Sequence, residues 1–258
     1  MTSLDFSNAV RLEEIRRLLA RHADLFRGKD LLEIGSGTGV QLQCLATTCK
    51  SAIGIDIPDG NYTTNRMIEI LDYDGQHIPF PDGSFDVVFS SNVIEHIRNE
   101  QAIHAEMRRV LRTGGVAVHV VPTATCRVLS LICHYPAVLK LVMSKLAKSQ
   151  KSDYPSSSHA ATATLSRWRS RLIFALAPAK HGEFGNWLTE YFLFRVKSWR
   201  KRFEANRWQV KTIEPGGLIY SAYYLFGEHI SWHTRARWAR WIGSSTATFI
   251  LRPADPAR

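Results

Sequence analysis

The sequence predicts an α/β chain built on a doubly wound, mostly parallel sheet. Three observations carry this reading. Apolar runs near 30–34, 51–56, 68–73, 85–90 and 115–121 alternate with helical patterns, an arrangement that needs right-handed crossovers between parallel strands. The first run, Leu31, Leu32 and Ile34, opens straight into the turn Gly35-Ser36-Gly37-Thr38-Gly39. The second run ends on an acid, Asp56. At 258 residues the chain can bury the core of one large domain with insertions.

In chain order, residues 8–27 read as a charged amphipathic helix ahead of the first strand. Helices follow the first strand at 40–48 and the fourth at 92–111. The segment 57–67 is short and polar, enough for a single turn. A long helix is expected over 186–206, with Trp187, Tyr191, Phe194 and Trp199 at near-helical spacing. Strands near 208–214 and 246–252 would close the sheet.

The glycine turn has the chemistry of a nucleotide corner. Glycine reaches positive φ and lets backbone approach a ligand closely, and the following helix start offers free N–H groups. The dinucleotide fingerprint needs a glycine or alanine where this chain has Val40, and no lysine closes a phosphate-cradling loop. Glu33, two residues before Gly35, would repel a pyrophosphate but attract a cationic ligand. Asp56 at a strand tip can accept ribose hydroxyls, a logic shared with NAD-binding folds.

LLEIGSGTG, residues 31–39, resembles motif I of the class I S-adenosylmethionine-dependent methyltransferases. YDGQHIPFPDGSFDVVFSSNVIEHI, 73–97, is similar to the stretch of that superfamily that runs through "PF" and "FD" to "EH". EMRRVLRTGGVAVHVVP, 106–122, resembles the helix, glycine turn and fifth strand that follow. The resemblance implies a Rossmann-like sheet of seven strands with an antiparallel last strand. It implies S-adenosyl-L-methionine as cofactor, held by Glu33, Gly35, Ser36, Gly37, Gly39, Asp56, Asp74, Gly75 and Ser91. In it, Asp74 contacts the adenine amino group and the next backbone N–H the ring. A weaker resemblance over 181–226 is to methyltransferases of surface-polysaccharide biosynthesis.

An alcohol acceptor needs a base, and the candidates sit at strand ends or on a lid. His96 follows the fourth strand; Glu95 beside it could instead cap a helix that starts at Asn92. His181 and Glu183, in HGEFGN, lie just before the expected long helix, followed by Glu190 and Tyr191. His119 falls inside the fifth strand and reads as core. Some quinone-modifying relatives carry a metal-binding Glu-x-x-Glu-His here, but Asn92 holds the first position, so no metal is expected.

Charge divides the chain. Residues 1–122 hold 12 Lys+Arg against 16 Asp+Glu, net −4; residues 123–258 hold 21 against 7, net +14, and all seven tryptophans. The expected organisation is a donor-binding half at 1–122, a lid or acceptor insertion at 123–185, and a basic, Trp-rich part completing the sheet at 186–258. Within the insertion, 128–146 is apolar but interrupted by His134, Pro136 and Lys140. It fits an amphipathic segment on a membrane surface or a lid with its apolar face inward. Residues 149–166, rich in Ser, Ala and Thr, read as a mobile loop. In 231–243, Trp232, Trp238 and Trp241 interleave with Arg235, Arg237 and Arg240. This suits anionic headgroups, a glycan or single-stranded nucleic acid, unless the tryptophans pack on the sheet and the arginines are solvated. No apolar h-region suggests a signal peptide, and Cys44, Cys49, Cys126 and Cys133 read as reduced, mostly buried thiols, so a cytoplasmic protein, peripheral on the membrane, is expected. The acceptors consistent with this are a glycan or lipid-linked molecule, a small lipophilic molecule such as a quinone, or nucleic acid. A non-catalytic S-adenosylmethionine-binding role is the remaining class.

Overall fold

The computed structural model describes residues 3–60, 62–149, 181–186, 188–220 and 229–254. Among the described residues there are seven strands: β1 (Asp30–Ile34), β2 (Ser51–Asp56), β3 (Leu71–Asp72), β4 (Phe85–Ser91), β5 (Leu111–Pro122), β6 (Trp208–Pro215) and β7 (Thr246–Pro253). The helices are α1 (Ser3–Phe26), α2 (Val40–Ala46), α3 (Glu100–Val110), α4 (Ala124–Ser149), α5 (Glu190–Leu193), α6 (Val196–Ala205) and α7 (Trp232–Ile242). The strands form one sheet in the order β3-β2-β1-β4-β5-β7-β6. Pairs among β1 to β5 are parallel, and β7 runs antiparallel to both β5 and β6. The expected seven-stranded Rossmann-like sheet with an antiparallel last strand is therefore present.

The central strands are apolar on both faces because helices cover both. On one face Leu31, Val87, Phe89 and Val118 pack with Ile15, Leu18 and Phe26 of α1 and Leu42 and Leu45 of α2. On the other, Leu32, Val88 and Phe249 pack with Ile103 and Met107 of α3 and Trp199 and Phe203 of α6. His119 is buried here as expected. Its Nδ1 pairs with Ser90 Oγ at 2.8 Å, and burial holds its pKa down to about 3.

Several expected boundaries shift, each for a local reason. The helix expected over 92–111 begins at Glu100. Asn92 adopts a left-handed backbone, φ 53°, which an α-helix excludes, and Ile94–His96 makes only a 3₁₀ turn. Asn99 then caps α3 by accepting from the Ala102 N–H at 3.2 Å, so Glu95 is no helix cap. The helix expected over 186–206 is two. Phe194 turns into the core against Trp199, ring centroids 6.1 Å apart, and Arg195 is extended between α5 and α6. Tyr191 stays exposed; Trp187 and Trp168 lie outside the described residues. The strand expected at 68–73 is reduced to Leu71–Asp72 at the sheet edge. The segment after β2 makes one 3₁₀ turn, Thr63–Asn65, as expected. The four cysteines form no disulfide and are half-buried rather than mostly buried.

The insertion begins as the long helix α4, with Pro136 inside it. The expected mobile loop at 149–166 lies, past Ser149, outside the described residues. Val128, Ile132, Tyr135, Leu139 and Met143 are all exposed and, at spacings of four, three, four and four, share one face of α4. This stripe points outward, unlike the face of a lid turned inward. α7 does not follow the alternative in which all its tryptophans pack inward and its arginines are solvated. Arg235 is buried, its guanidinium donating to the Ile219 and Ile230 carbonyls and lying over the Phe6 and Trp232 rings. Trp238 and Trp241 face solvent, Trp241 at 85 % exposure. Among the described residues no helix is long and apolar enough to cross a membrane.

These positions separate core from surface in a measurable way. Phe203→Ala should cost about 3–5 kcal/mol, because a fully buried ring leaves a cavity. Trp241→Ala should stay within about 0.5 kcal/mol of the parent. Urea unfolding of the two variants checks the contrast.

Candidate active site

Strand order reverses between β1 and β4, and at their carboxyl ends a crevice opens where ligands of such sheets bind. The cleft has a volume of about 890 Å³ and is lined by the glycine loop, the tips of β2 and β4, the turn after β3 and the start of α1.

The glycine loop is held open by backbone geometry. Gly35, Gly37 and Gly39 all have positive φ, 71°, 57° and 82°. A Cβ on Gly35 would fall 2.3 Å from Val93 Cγ2, and one on Gly39 would fall 2.7 Å from Ile68 Cγ1. Asp56 closes the loop from the next strand. Its Oδ2 accepts from the Gly37 N–H at 2.7 Å and its Oδ1 from the Ile57 N–H at 2.8 Å. Gly35, Ser36, Gly37, Asp56, Asp74, Gly75 and Ser91 all line the cleft. Gly39 stands at the start of α2 and shapes the loop from behind.

Two of the expected acids are placed less simply. Glu33 is buried, and desolvation pushes its pKa up to about 8, helped by the nearby Asp56 charge and opposed by Ser36. Its Oε2 has no hydrogen-bond partner. Asp74 borders the cleft, but its carboxylate accepts from the Gln76 and His77 N–H groups and pairs with the His77 ring at 2.8 Å. Those backbone hydrogen bonds, with the His77 ring, lower its pKa to about 2.

Sequence reasoning missed part of the wall. Ser7, Asn8 and Arg11 of α1, with Tyr62 and Tyr73, line the cleft. Asn8 Oδ1 accepts from Thr38 Oγ1 at 2.9 Å, and Arg11 pairs with Glu14 at 3.1 Å. The signal available was weak: polar residues on the first turns of a helix that precedes the loop by a whole element.

At the mouth, the structure brings together two residues 85 positions apart. His96 follows β4, His181 begins the segment after the insertion, and their ring centroids are 5.8 Å apart. Both line the cleft. Between them lies Glu95, whose carboxylate is buried; His96 Nε2 is 3.9 Å and His181 Nε2 3.7 Å from its Oε1. Burial lowers the His96 pKa below its ordinary value, with the Glu95 charge opposing. His181 is held by its backbone. Its N–H and that of Gly182 donate to Glu190 Oε1 at 2.6 and 2.8 Å, and Glu190 is paired with the buried Arg127 at 3.1 Å. Glu183 follows His181 on the same loop, with its carboxylate paired outward. Its N–H donates to the Glu95 carbonyl at 2.8 Å, while its carboxylate accepts from Arg98 at 2.6 Å.

Comparison with known proteins agrees with this geometry. Residues 32–119 match a family described as a methyltransferase domain. An uncharacterized methyltransferase of Mycobacterium avium is 32% identical over 105 residues, 38% of this chain and 42% of that one. An uncharacterized methyltransferase of Mycobacterium tuberculosis is 33% identical over 107 residues, 39% and 42% of the two chains. The matches thus span about two-fifths of the length of these curated relatives. Among solved structures, a methyltransferase of Haloferax volcanii in complex with the Trm112 methyltransferase activator aligns over 99% of this chain and 95% of that one, with a TM-score of 0.56 at 14% identity. An S-adenosylmethionine-dependent methyltransferase of Aquifex aeolicus aligns over 93% and 91%, with a TM-score of 0.50 at 12% identity. The fold is that of the class I methyltransferases.

The buried Glu33 carries a pH dependence whose sign is set. Its folded pKa lies above its unfolded value, so the folded state holds the proton more tightly. The stabilisation this gives is complete below the unfolded value, near 4.5, and is lost as pH rises through about 8. Glu33→Gln should therefore be less destabilised than the parent between pH 6 and 9. Urea unfolding across that range reads the difference in slope.

Proposed function

With a methyltransferase domain at residues 32–119, we propose that the protein transfers the methyl group of S-adenosyl-L-methionine to an oxygen of a glycan or lipid-linked acceptor. One observation carries this reading. The loop and acid suited to an adenosyl donor and the Glu95–His96–His181 cluster share a single cleft. The sulfonium supplies a methyl that is already activated, and the remaining tasks fall to the chain. Gly35, Gly37 and Asp56 fix the donor end. Asp56 favours a cation there, whereas the buried Glu33, its pKa pushed up to about 8, stands behind the loop. The mouth must hold an acceptor oxygen in line, roughly 3 Å from the methyl, and take up its proton. His96 and His181, backed by Glu95, are the groups placed to do this.

The outer surface favours a membrane-bound acceptor. The exposed stripe of α4 starts beside the end of α7, where Thr125 Oγ1 lies 3.5 Å from the Ile242 carbonyl. Trp241 and Ile242 there are exposed, next to the exposed Arg237 and Arg240. An outward apolar stripe edged by cations fits peripheral contact with an anionic leaflet. It gives the lipid-linked acceptor an advantage over a free small molecule or a nucleic acid.

Labelled methyl donor incubated with cell extract and the protein, followed by separation into lipid, glycan, RNA and small-molecule pools, tests this. Label should enter a lipid-linked or glycan pool. His96→Ala or His181→Ala should slow turnover about 10²–10⁴-fold while donor affinity holds. Label confined to RNA or to free small molecules would overturn the acceptor assignment, and no transfer to any pool would favour a non-catalytic role.

A further inference from the structure

The mouth of the cleft holds one arrangement that donor binding leaves unexplained. Glu95 is buried, and neither of its carboxylate oxygens has a hydrogen-bond partner. A buried carboxylate left this way is among the costliest arrangements in a protein unless a cation offsets it. The two imidazoles that face it stand at 3.7 and 3.9 Å, too far for hydrogen bonds. Those separations suit atoms that share one small cation. Ligands each about 2.0–2.2 Å from a metal lie roughly 3–4 Å from one another. The potential ligand atoms of Glu95, His96 and His181 all fall within 4.8 Å.

The site is built rather than incidental. Gly182 admits the close approach: a Cβ there would fall 3.0 Å from the Glu95 carbonyl oxygen. The Glu183 N–H donates to that same carbonyl, tying the third ligand's loop to the first ligand's backbone. Behind the loop, Glu190 accepts from the His181 and Gly182 N–H groups and is itself paired with Arg127 in the interior.

The geometry points to a divalent transition-metal site formed by Glu95, His96 and His181. Two imidazoles and one carboxylate suit zinc or a neighbouring first-row divalent ion; magnesium and calcium prefer oxygen throughout. Three protein ligands leave coordination positions open at the cleft. With both imidazoles engaged as ligands, an acceptor hydroxyl bound there would lose its proton to solvent water, and His96 and His181 would act by holding the ion rather than as the base. The new O–C bond would then form as the S–C bond breaks, with the S–C electron pair left on sulfur. This rests on the methyl-transfer reading for its role but not for its test, because metal binding is measured with neither donor nor acceptor present.

The test is calorimetric titration of the chelator-treated full chain with zinc chloride at pH 7, followed by cobalt substitution read by visible absorption. One site per chain is expected, with cobalt bands of a nitrogen–oxygen ligand set. Glu95→Gln and His181→Ala should each weaken zinc by about 10–100-fold or more, whereas His77→Ala, at an exposed histidine, should not. Thermal unfolding shows whether each variant is folded; His181 lies on an exposed loop, so its variant keeps the test decisive if Glu95→Gln does not fold. Absence of a saturable site, thiolate bands in the cobalt spectrum, or undiminished binding in a folded His181→Ala would overturn the proposal.

Discussion

The contact of Gly35 with Val93 sets where the rest of the cleft lies. The Val93 side chain occupies the space a Cβ on Gly35 would need, so the loop after β1 and the turn after β4 meet through that one side chain. Two residues on from Val93 comes Glu95, then His96. The donor loop and the acceptor mouth are therefore positioned by one packing contact rather than by two independent loops. The positive φ of Gly35 makes the same demand from the backbone side.

The second half of the chain depends on a different contact. Arg127, at the start of α4, and Glu190, at the start of α5, form an ion pair in the interior, and Glu190 also holds the loop that carries His181. Removing one partner of such a pair leaves a buried charge uncompensated. The pair joins the two ends of the insertion at one point, whatever lies between them in sequence. With its first turn fixed there, α4 directs its apolar stripe outward, and the acidic first half and basic second half meet at the cleft mouth.

Much of this was legible in the sequence because it is local. A buried strand running into alternating glycines, an acid at the next strand tip and the ordered stretch to Glu95 and His96 are each contiguous, and strand order follows from their alternation with helices. What was not legible depends on distance or on side-chain direction. Arg11 and Asn8 reach the cleft only because α1 packs against the loop. His181 meets His96 across 85 positions of sequence, which no local pattern reports. In α7 the pattern of Trp and Arg left open whether the tryptophans face a ligand or the sheet; Arg235 buries against two carbonyls and two aromatic rings, and Trp238 and Trp241 lie outside. The break at Phe194 hid inside a helical spacing, since an aromatic at that position reads the same whether it extends a helix or ends one.

The central claim is that the cleft beside Gly35 and Asp56 takes an adenosyl donor with a cationic centre. Calorimetry of the full chain with S-adenosyl-L-methionine and, separately, with NAD addresses it directly. The donor should bind at one site per chain, and Asp56→Ala should weaken it by about ten- to a hundredfold, the loss of hydrogen bonds to a charged acceptor. Tight binding of NAD with no binding of S-adenosyl-L-methionine would contradict the account.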